Sequence, residues 1–183
     1  VSETTDTYDV VVLGAGPVGE NVADRAHTGG LSAVIVESEL VGGECSYWAC
    51  MPSKALLRPV VALRDARRVD GVRQAVHGEI GVDEVLSSRD GHAAHWKDDG
   101  QVSWLTDAGI DLVRGHGRLA GSRTVRVDGP DGSVRTLTAR HAVVVCTGSR
   151  AVLPPVPGID EARPWTSREA TSASRVPGRL VIV

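Results

Sequence analysis

Cys45 and Cys50 are the residues best placed to do chemistry, because two thiols in one short segment can exchange electrons as a pair. They stand five positions apart in Gly42-Gly43-Glu44-Cys45-Ser46-Tyr47-Trp48-Ala49-Cys50-Met51-Pro52-Ser53-Lys54. On a regular helix, positions i and i+5 lie about 8.5 Å apart between Cα atoms, whereas a disulfide tolerates at most about 7 Å. A bridge therefore requires an irregular backbone between them. The glycine pair loosens the entry, and Pro52 suits a first helical turn but not a helix interior. The regular helix is expected to begin near Cys50, with Cys45 on the irregular lead-in and Ser53 capping. Cys50 then falls at the positive end of a helix dipole, a setting that favours a thiolate. A strained, accessible pair of this kind is a redox pair rather than a structural staple.

A second constellation lies upstream. Tyr8–Leu13 is a short apolar run that reads as a strand, followed at once by Gly14-Ala15-Gly16-Pro17-Val18-Gly19. Glu20–Ala26 then reads as a helix ended by Gly29-Gly30, and a second apolar strand, Ala33–Val36, stops at Glu37. Strand, glycine-rich turn, helix, strand and acid form the dinucleotide-binding fingerprint in its full context. Gly14 makes the tight turn, Gly16 lets backbone approach a pyrophosphate, and Gly19 lets the helix pack on the strand. Pro17 belongs to the same turn, and Glu37 is placed to accept hydrogen bonds from a ribose. A turn that used glycine only for packing would leave Glu37 unaccounted for.

The cysteine segment resembles the active-site segment of the FAD-dependent pyridine nucleotide-disulfide oxidoreductases, which include dihydrolipoamide dehydrogenase, glutathione reductase and mercuric reductase. The matching positions are Gly42, Gly43, Cys45, Cys50, Pro52, Ser53 and Lys54. Glu44 stands where the family has Thr, Tyr47 where it has Asn and Ala49 where it has Gly. The resemblance implies a Rossmann-like α/β FAD-binding domain: a parallel sheet, helices on its faces and a small antiparallel β-meander. It implies FAD along Gly14, Gly16, Pro17, Gly19, Glu37, Gly43, Glu44, Cys45 and Lys54, with Lys54 near the flavin. The backbone around Gly117 would contact the adenine, and Thr147-Gly148-Ser149 would be the second FAD motif. NAD(P)H would be the co-substrate, with electrons passing through FAD to the Cys45–Cys50 disulfide and on to a disulfide or another small acceptor. Cys50 would be the thiolate nearest the ring and Cys45 the interchange thiol. Two alternatives stay open: a truncated, catalytically incomplete FAD-binding module, or a mercuric-reductase-like enzyme that reduces a metal ion.

The remaining elements must position these groups. A helix opened at Pro52 runs towards Ala66, with Pro59 expected to kink or shorten it. Val82 starts another, with Asp83 as a plausible cap, expected to continue to about Asp99 before Gly100 interrupts it. Ile110–Arg114 reads as a strand, and Arg118–Ala120, Thr124–Val127 and Val134–Leu137 alternate in strand fashion around an Asp128–Gly132 turn. Ala142–Cys146 reads as a separate, buried strand, with Cys146 a core thiol. The domain division expected is 1–150 for FAD binding, 151–178 as a Pro-rich linker, and 179–183 as the first strand of a nicotinamide-nucleotide domain.

Composition sets outer limits. A net charge of −3 over 183 residues advertises neither nucleic acid nor an anionic membrane. No apolar run reaches membrane-spanning length. The acidic, polar Val1–Thr7 is unlike a signal peptide and reads as a frayed lead-in. An odd count of 3 cysteines argues against a secreted disulfide framework and for a cytoplasmic enzyme. His92 and His95 have a helical spacing, but no third ligand joins them; a solvated helix face accounts for them, and no metal site is assigned. By resemblance the full-length protein would be a homodimer.

Overall fold

The structure is a computed structural model and describes residues 3–183. Its strands are β1 (Glu3–Leu13), β2 (Ala33–Glu37), β3 (Asp111–Arg114), β4 (His116–Gly121), β5 (Thr124–Asp128) and β6 (Val134–Val145). Its helices are α1 (Pro17–Thr28), α2 (Gly43–Tyr47), α3 (Cys50–Ala66), α4 (Val82–His92), α5 (Asp99–Asp107), α6 (Ile159–Ala162) and α7 (Ser167–Ser172). The chain forms two compact units, one of residues up to Cys45 with Lys97–Ser149, the other of Ser46–Trp96 with Arg150–Val183.

The first unit is built on one sheet in the order β3-β2-β1-β6-β5-β4. β3, β2, β1 and β6 run parallel, and β4 and β5 are antiparallel additions. Side chains along a strand alternate between faces, and here both faces are buried. Val10, Val12, Ala33 and Ile35 point to one side, where Ala23 of α1 and Leu105 of α5 cover them. Val11, Leu13, Val34 and Val36 point to the other, where Val125, Val127 and Leu137 of the β4–β6 meander close over them. Two-sided burial is why these strands read as continuous apolar runs.

Several expectations need correction here. β1 begins at Glu3, not Tyr8, because Glu3–Tyr8 pairs in register with Val134–Ala139, and Arg135 bridges Asp6 at 2.6 Å. Thr4–Thr7 is therefore strand rather than frayed lead-in; Val1 and Ser2 lie outside the described residues. Val134–Leu137 and Ala142–Val145 are one strand, since β6 joins β5 on one side and β1 on the other. Its far end is less buried than expected, with Val145 57% exposed. α3 does not stop at Pro59. α4 ends at His92, where Ala94, His95 and Trp96 take left-handed backbone angles, and Gly100 sits inside α5 instead of interrupting a helix. The cap of α4 is Gly81, with Asp83 in its first turn. Residues 179–183 form no strand, because a strand needs a neighbour's ladder and none of the described residues pairs with them. Among the described residues no helix is long and apolar enough to cross a membrane.

In the second unit, α6 and α7 lie within the Pro-rich stretch. α7 opens with a reciprocal cap: Thr166 Oγ1 accepts from the Arg168 N–H, while the Thr166 N–H donates to Glu169 at 2.7 Å. Thr166-x-x-Glu169 is the sequence signature of that cap.

The turn into β2 is fastened by Asp9, whose carboxylate accepts from the Ser32 N–H and hydroxyl, each at 2.8 Å, and from Arg140 at 3.1 Å. The Ser32 N–H above all, with its hydroxyl and Arg140 adding, pulls the Asp9 carboxyl down to about 2. A carboxyl depressed in the folded state stabilises it above the ordinary carboxylate range and loses that effect as pH falls through the folded value. Asp9→Asn should therefore flatten the decline of stability between about pH 4 and pH 2, read by urea unfolding across that range. An unchanged slope would mean the fastening contributes nothing.

Candidate functional site

The glycine-rich turn is a place where backbones meet with no room for side chains. Gly14 has φ +98°, a left-handed angle that suits glycine, and a Cβ there would run into the carbonyl of Cys146 and lie 3.3 Å from the Cα of Thr147. A Cβ on Gly19 would strike the Gly14 carbonyl, so α1 can lie against the turn only with glycine at that position. Gly43, at φ +56°, brings a third segment in: its Cβ would stand 2.9 Å from the Cα of Gly16. Two stretches distant in sequence, at Cys146–Thr147 and at Gly43, thus converge on Gly14–Gly16. Gly16 is the exception, because a Cβ added to it would meet nothing within 4 Å. Packing does not require that glycine, which leaves an open cradle at the start of α1.

Hydrogen bonds hold the surroundings in place. Glu37 accepts from the Ala15 N–H through one carboxylate oxygen and from the Glu39 N–H through the other, both at 2.7 Å. Each oxygen keeps a further lone pair for a ligand. Gly42 N–H donates to the Ala15 carbonyl at 2.7 Å, and Gly14 N–H to Val36 at 2.8 Å. The loop after β2 is pinned by Asp98, which accepts from the Val41 N–H at 2.8 Å and also pairs with Arg114; Arg114 in turn donates to the Glu39 carbonyl at 2.7 Å. The sequence reading missed Asp98 and Arg114, since an isolated acid and base in separate elements carry no motif.

The structure therefore brings Gly14, Gly16, Gly19, Glu37, Gly43 and Thr147 together in the first unit. Pro17 opens α1, half-buried Glu44 and Cys45 lie in α2, and Gly148 and Ser149 are exposed beyond β6. Gly117 lies on β4 against Leu13 and Val36, the residues directly before Gly14 and Glu37. Its missing side chain is explained by packing, since a Cβ would press on Leu13 and Val36 at 2.8 and 3.1 Å. Cys45 sits in a short helix rather than on an irregular lead-in, and the irregularity falls after it, at Trp48–Ala49, where Ala49 takes φ −125° and ψ −92°. Cys50 begins α3 as the sequence suggested, with Pro52 buried in the first turn. Ser53 does not cap; its hydroxyl donates to the Cys50 carbonyl at 3.3 Å. Lys54 is exposed on α3. All three cysteines are half-buried and joined in no disulfide, and burial pushes the Cys146 thiol up. An apolar groove of about 920 Å³ in the second unit is lined by none of these residues.

The open cradle, the N-terminus of α1 and the anchored Glu37 fit a dinucleotide: a phosphate-accepting helix start with a ribose-binding acid. They do not by themselves choose between flavin and nicotinamide forms.

A family profile described as pyridine nucleotide-disulphide oxidoreductase matches residues 8–183. A dihydrolipoyl dehydrogenase from Acholeplasma laidlawii is 31% identical over 182 residues, which cover 96% of this chain and 52% of that protein. One from Chlorobaculum tepidum is 35% identical, covering 96% and 37%, and a mercuric reductase from Staphylococcus aureus is 26% identical, covering 96% and 31%. Among solved structures, the Cu(II) complex of the HOCl-induced flavoprotein disulfide reductase RclA from Escherichia coli aligns with a TM-score of 0.71 at 21% identity, covering 94% of this chain and 36% of that one. That last likeness is one of fold. The chain spans about half or less of the length of these relatives.

Substitution separates the packing glycines from the open one. Gly19→Ala should destabilise the protein by about 1–3 kcal/mol or more, because backbone must move to admit the methyl group. Gly16→Ala should unfold at the temperature of the parent yet lose FAD binding by about tenfold or more, since its methyl group would occupy the ligand's space. Thermal unfolding and FAD titration of both variants check this; parent-like FAD binding by Gly16→Ala would contradict it.

Proposed function

The chain belongs to the pyridine nucleotide-disulphide oxidoreductase family, and from that premise we propose that it is the FAD- and dithiol-bearing part of an NAD(P)H-dependent disulfide oxidoreductase. Members of the family are FAD-dependent and take NAD(P)H as substrate. The observation that carries the reading is the seating of Gly43 against Gly16. Through that contact the segment that bears Cys45 starts on the dinucleotide cradle itself, so one backbone junction serves both the nucleotide and the first thiol.

In this reading Gly14–Gly19 and the start of α1 receive the pyrophosphate, and Glu37 holds a ribose. Gly43, Glu44, Cys45 and Lys54 continue along the cofactor, and Thr147–Ser149 flank it. Bound FAD supplies two-electron transfer between a nicotinamide and the Cys45–Cys50 pair. The chain's own chemistry is then dithiol exchange. The Cys45 thiolate attacks an acceptor disulfide and releases one thiol; Cys50 then attacks the Cys45 sulfur of the mixed disulfide, releasing the second thiol and leaving Cys45–Cys50 bonded. We assign residues 1–150 to FAD binding, 151–178 to the connection and 179–183 to the opening of a nicotinamide-binding domain, with a homodimer as the full-length assembly and the cytoplasm as its setting.

Cys45→Ser and Cys50→Ser in the full-length protein should each lower NAD(P)H-dependent reduction of a small disulfide by about a hundredfold or more, with FAD content unchanged. Nicotinamide oxidation in the presence of lipoamide or an aromatic disulfide reports it. Retention of parent-like turnover in either variant would remove the pair from the reaction.

A further inference from the structure

Two consecutive peptide carbonyls between the cysteines fall outside any helix ladder. α2 ends at Tyr47 and α3 begins at Cys50, so the Tyr47 and Trp48 carbonyls lie at the break. Carbonyls at a helix end need donors from elsewhere. Both receive one from a distant side chain of the same unit. The Trp96 Nε1–H donates to the Tyr47 carbonyl at 3.1 Å, and the Thr171 hydroxyl to the Trp48 carbonyl at 2.7 Å. The side chains of the break are held as well: Tyr47 is fully buried with its ring edge-on to Trp48, and the Arg168 guanidinium lies 4.1 Å from the centre of the Trp48 ring.

Arg89 ties the two donors together. It is only 1% exposed, an unusual position for a charge unless it is well partnered. Its guanidinium lies 5.4 Å from the centre of the Trp96 ring and donates to the Thr171 and Ala173 carbonyls, the latter at 2.8 Å. Its Nε meets Asp90 at 2.6 Å. The capped helix α7 fixes Thr171 from the other side.

The Thr171 hydroxyl also has an alternative. It lies 2.9 Å from the Ser167 carbonyl and 3.3 Å from that of Arg168, within its own helix. A hydroxyl donates one proton, and the contact with Trp48 is the shortest of the three. If the Trp48 carbonyl moves away, the proton can turn to Ser167 and no donor is orphaned. The hold on the break is therefore specific but releasable.

We propose that Trp96 and Thr171, organised by Arg89, are positioning residues for the Cys45–Cys50 pair. They hold the Tyr47–Trp48 break in the conformation seen without a Cys45–Cys50 disulfide and so bias the pair against closing it. This inference rests on the redox-pair reading above. The step concerned is reversible: the two thiols give two electrons and two protons to oxidised dithiothreitol, whose ring disulfide opens to the dithiol as Cys45–Cys50 closes.

The test equilibrates the full-length protein with mixtures of reduced and oxidised dithiothreitol, alkylates it, and reads the state of Cys45 and Cys50 by peptide mass. Thr171→Val keeps the shape and removes the donor; it should shift the midpoint about fivefold towards the disulfide, the effect of one ordinary hydrogen bond. Trp96→Phe should shift it the same way. Thr171→Ser, which keeps the hydroxyl, should titrate with the parent. Parent-like midpoints in both Thr171→Val and Trp96→Phe, or a Thr171→Ser shift as large as that of Thr171→Val, would overturn the proposal. A parent protein that forms no Cys45–Cys50 disulfide at any ratio would overturn the redox reading itself, and this inference with it.

Discussion

The molecule turns on a junction where three backbone segments touch without side chains between them. Gly19 sits against the carbonyl of Gly14, Gly14 against that of Cys146, and Gly43 against Gly16. Each contact would be broken by a single methyl group, and interiors packed this closely have little slack to absorb one. The junction therefore dictates what can come next. α1 must start where its free N–H groups face the cradle, the loop after β2 must return to the turn, and β6 must deliver Thr147 beside it. Asp98 and Arg114 serve that constraint by pinning the returning loop.

Around this junction the sheet needs both faces covered. Helices α1 and α5 close one face, while the meander of β4, β5 and the first half of β6 closes the other. The length of β6 follows from that second task, and that of β1 with it, because the first half of β6 pairs with β5 on one side and with Glu3–Tyr8 of β1 on the other. Gly117 belongs to the same packing problem, as a point where β4 passes close to Leu13 and Val36. In the second unit the recurring device is different: buried or half-buried polar side chains, Arg89 and Thr171 among them, satisfy carbonyls that short helices leave open.

What could be read from the sequence was whatever repeats locally. The Tyr8–Glu37 run declared strand, turn, helix, strand and acid, because period and glycine spacing are local properties, and the two cysteines before Pro52 declared the start of α3. Boundaries set by a distant partner could not be read the same way. Glu3–Thr7 is strand only because Val134–Ala139 lies beside it, and β6 is continuous only because it has one partner on each side in turn. The confinement of the irregularity to Trp48–Ala49, with Cys45 already in a helix, goes with donors 49 and 123 positions away along the chain. No local pattern announces those. The Thr166-x-x-Glu169 cap was present in the sequence as a signal and would have placed α7 within the Pro-rich stretch.

Whether one chain joins a dinucleotide cradle to a redox dithiol is decided by an anaerobic titration of the full-length protein with NADH and with NADPH. Absorption reports the flavin, and alkylation with peptide mass mapping reports the thiols. The protein should be yellow, and its reduction by at least one of the nucleotides should be matched by newly alkylatable thiols at Cys45 and Cys50. A protein that stays colourless when FAD is supplied, or whose flavin is reduced with no new thiols at those two positions, would contradict it.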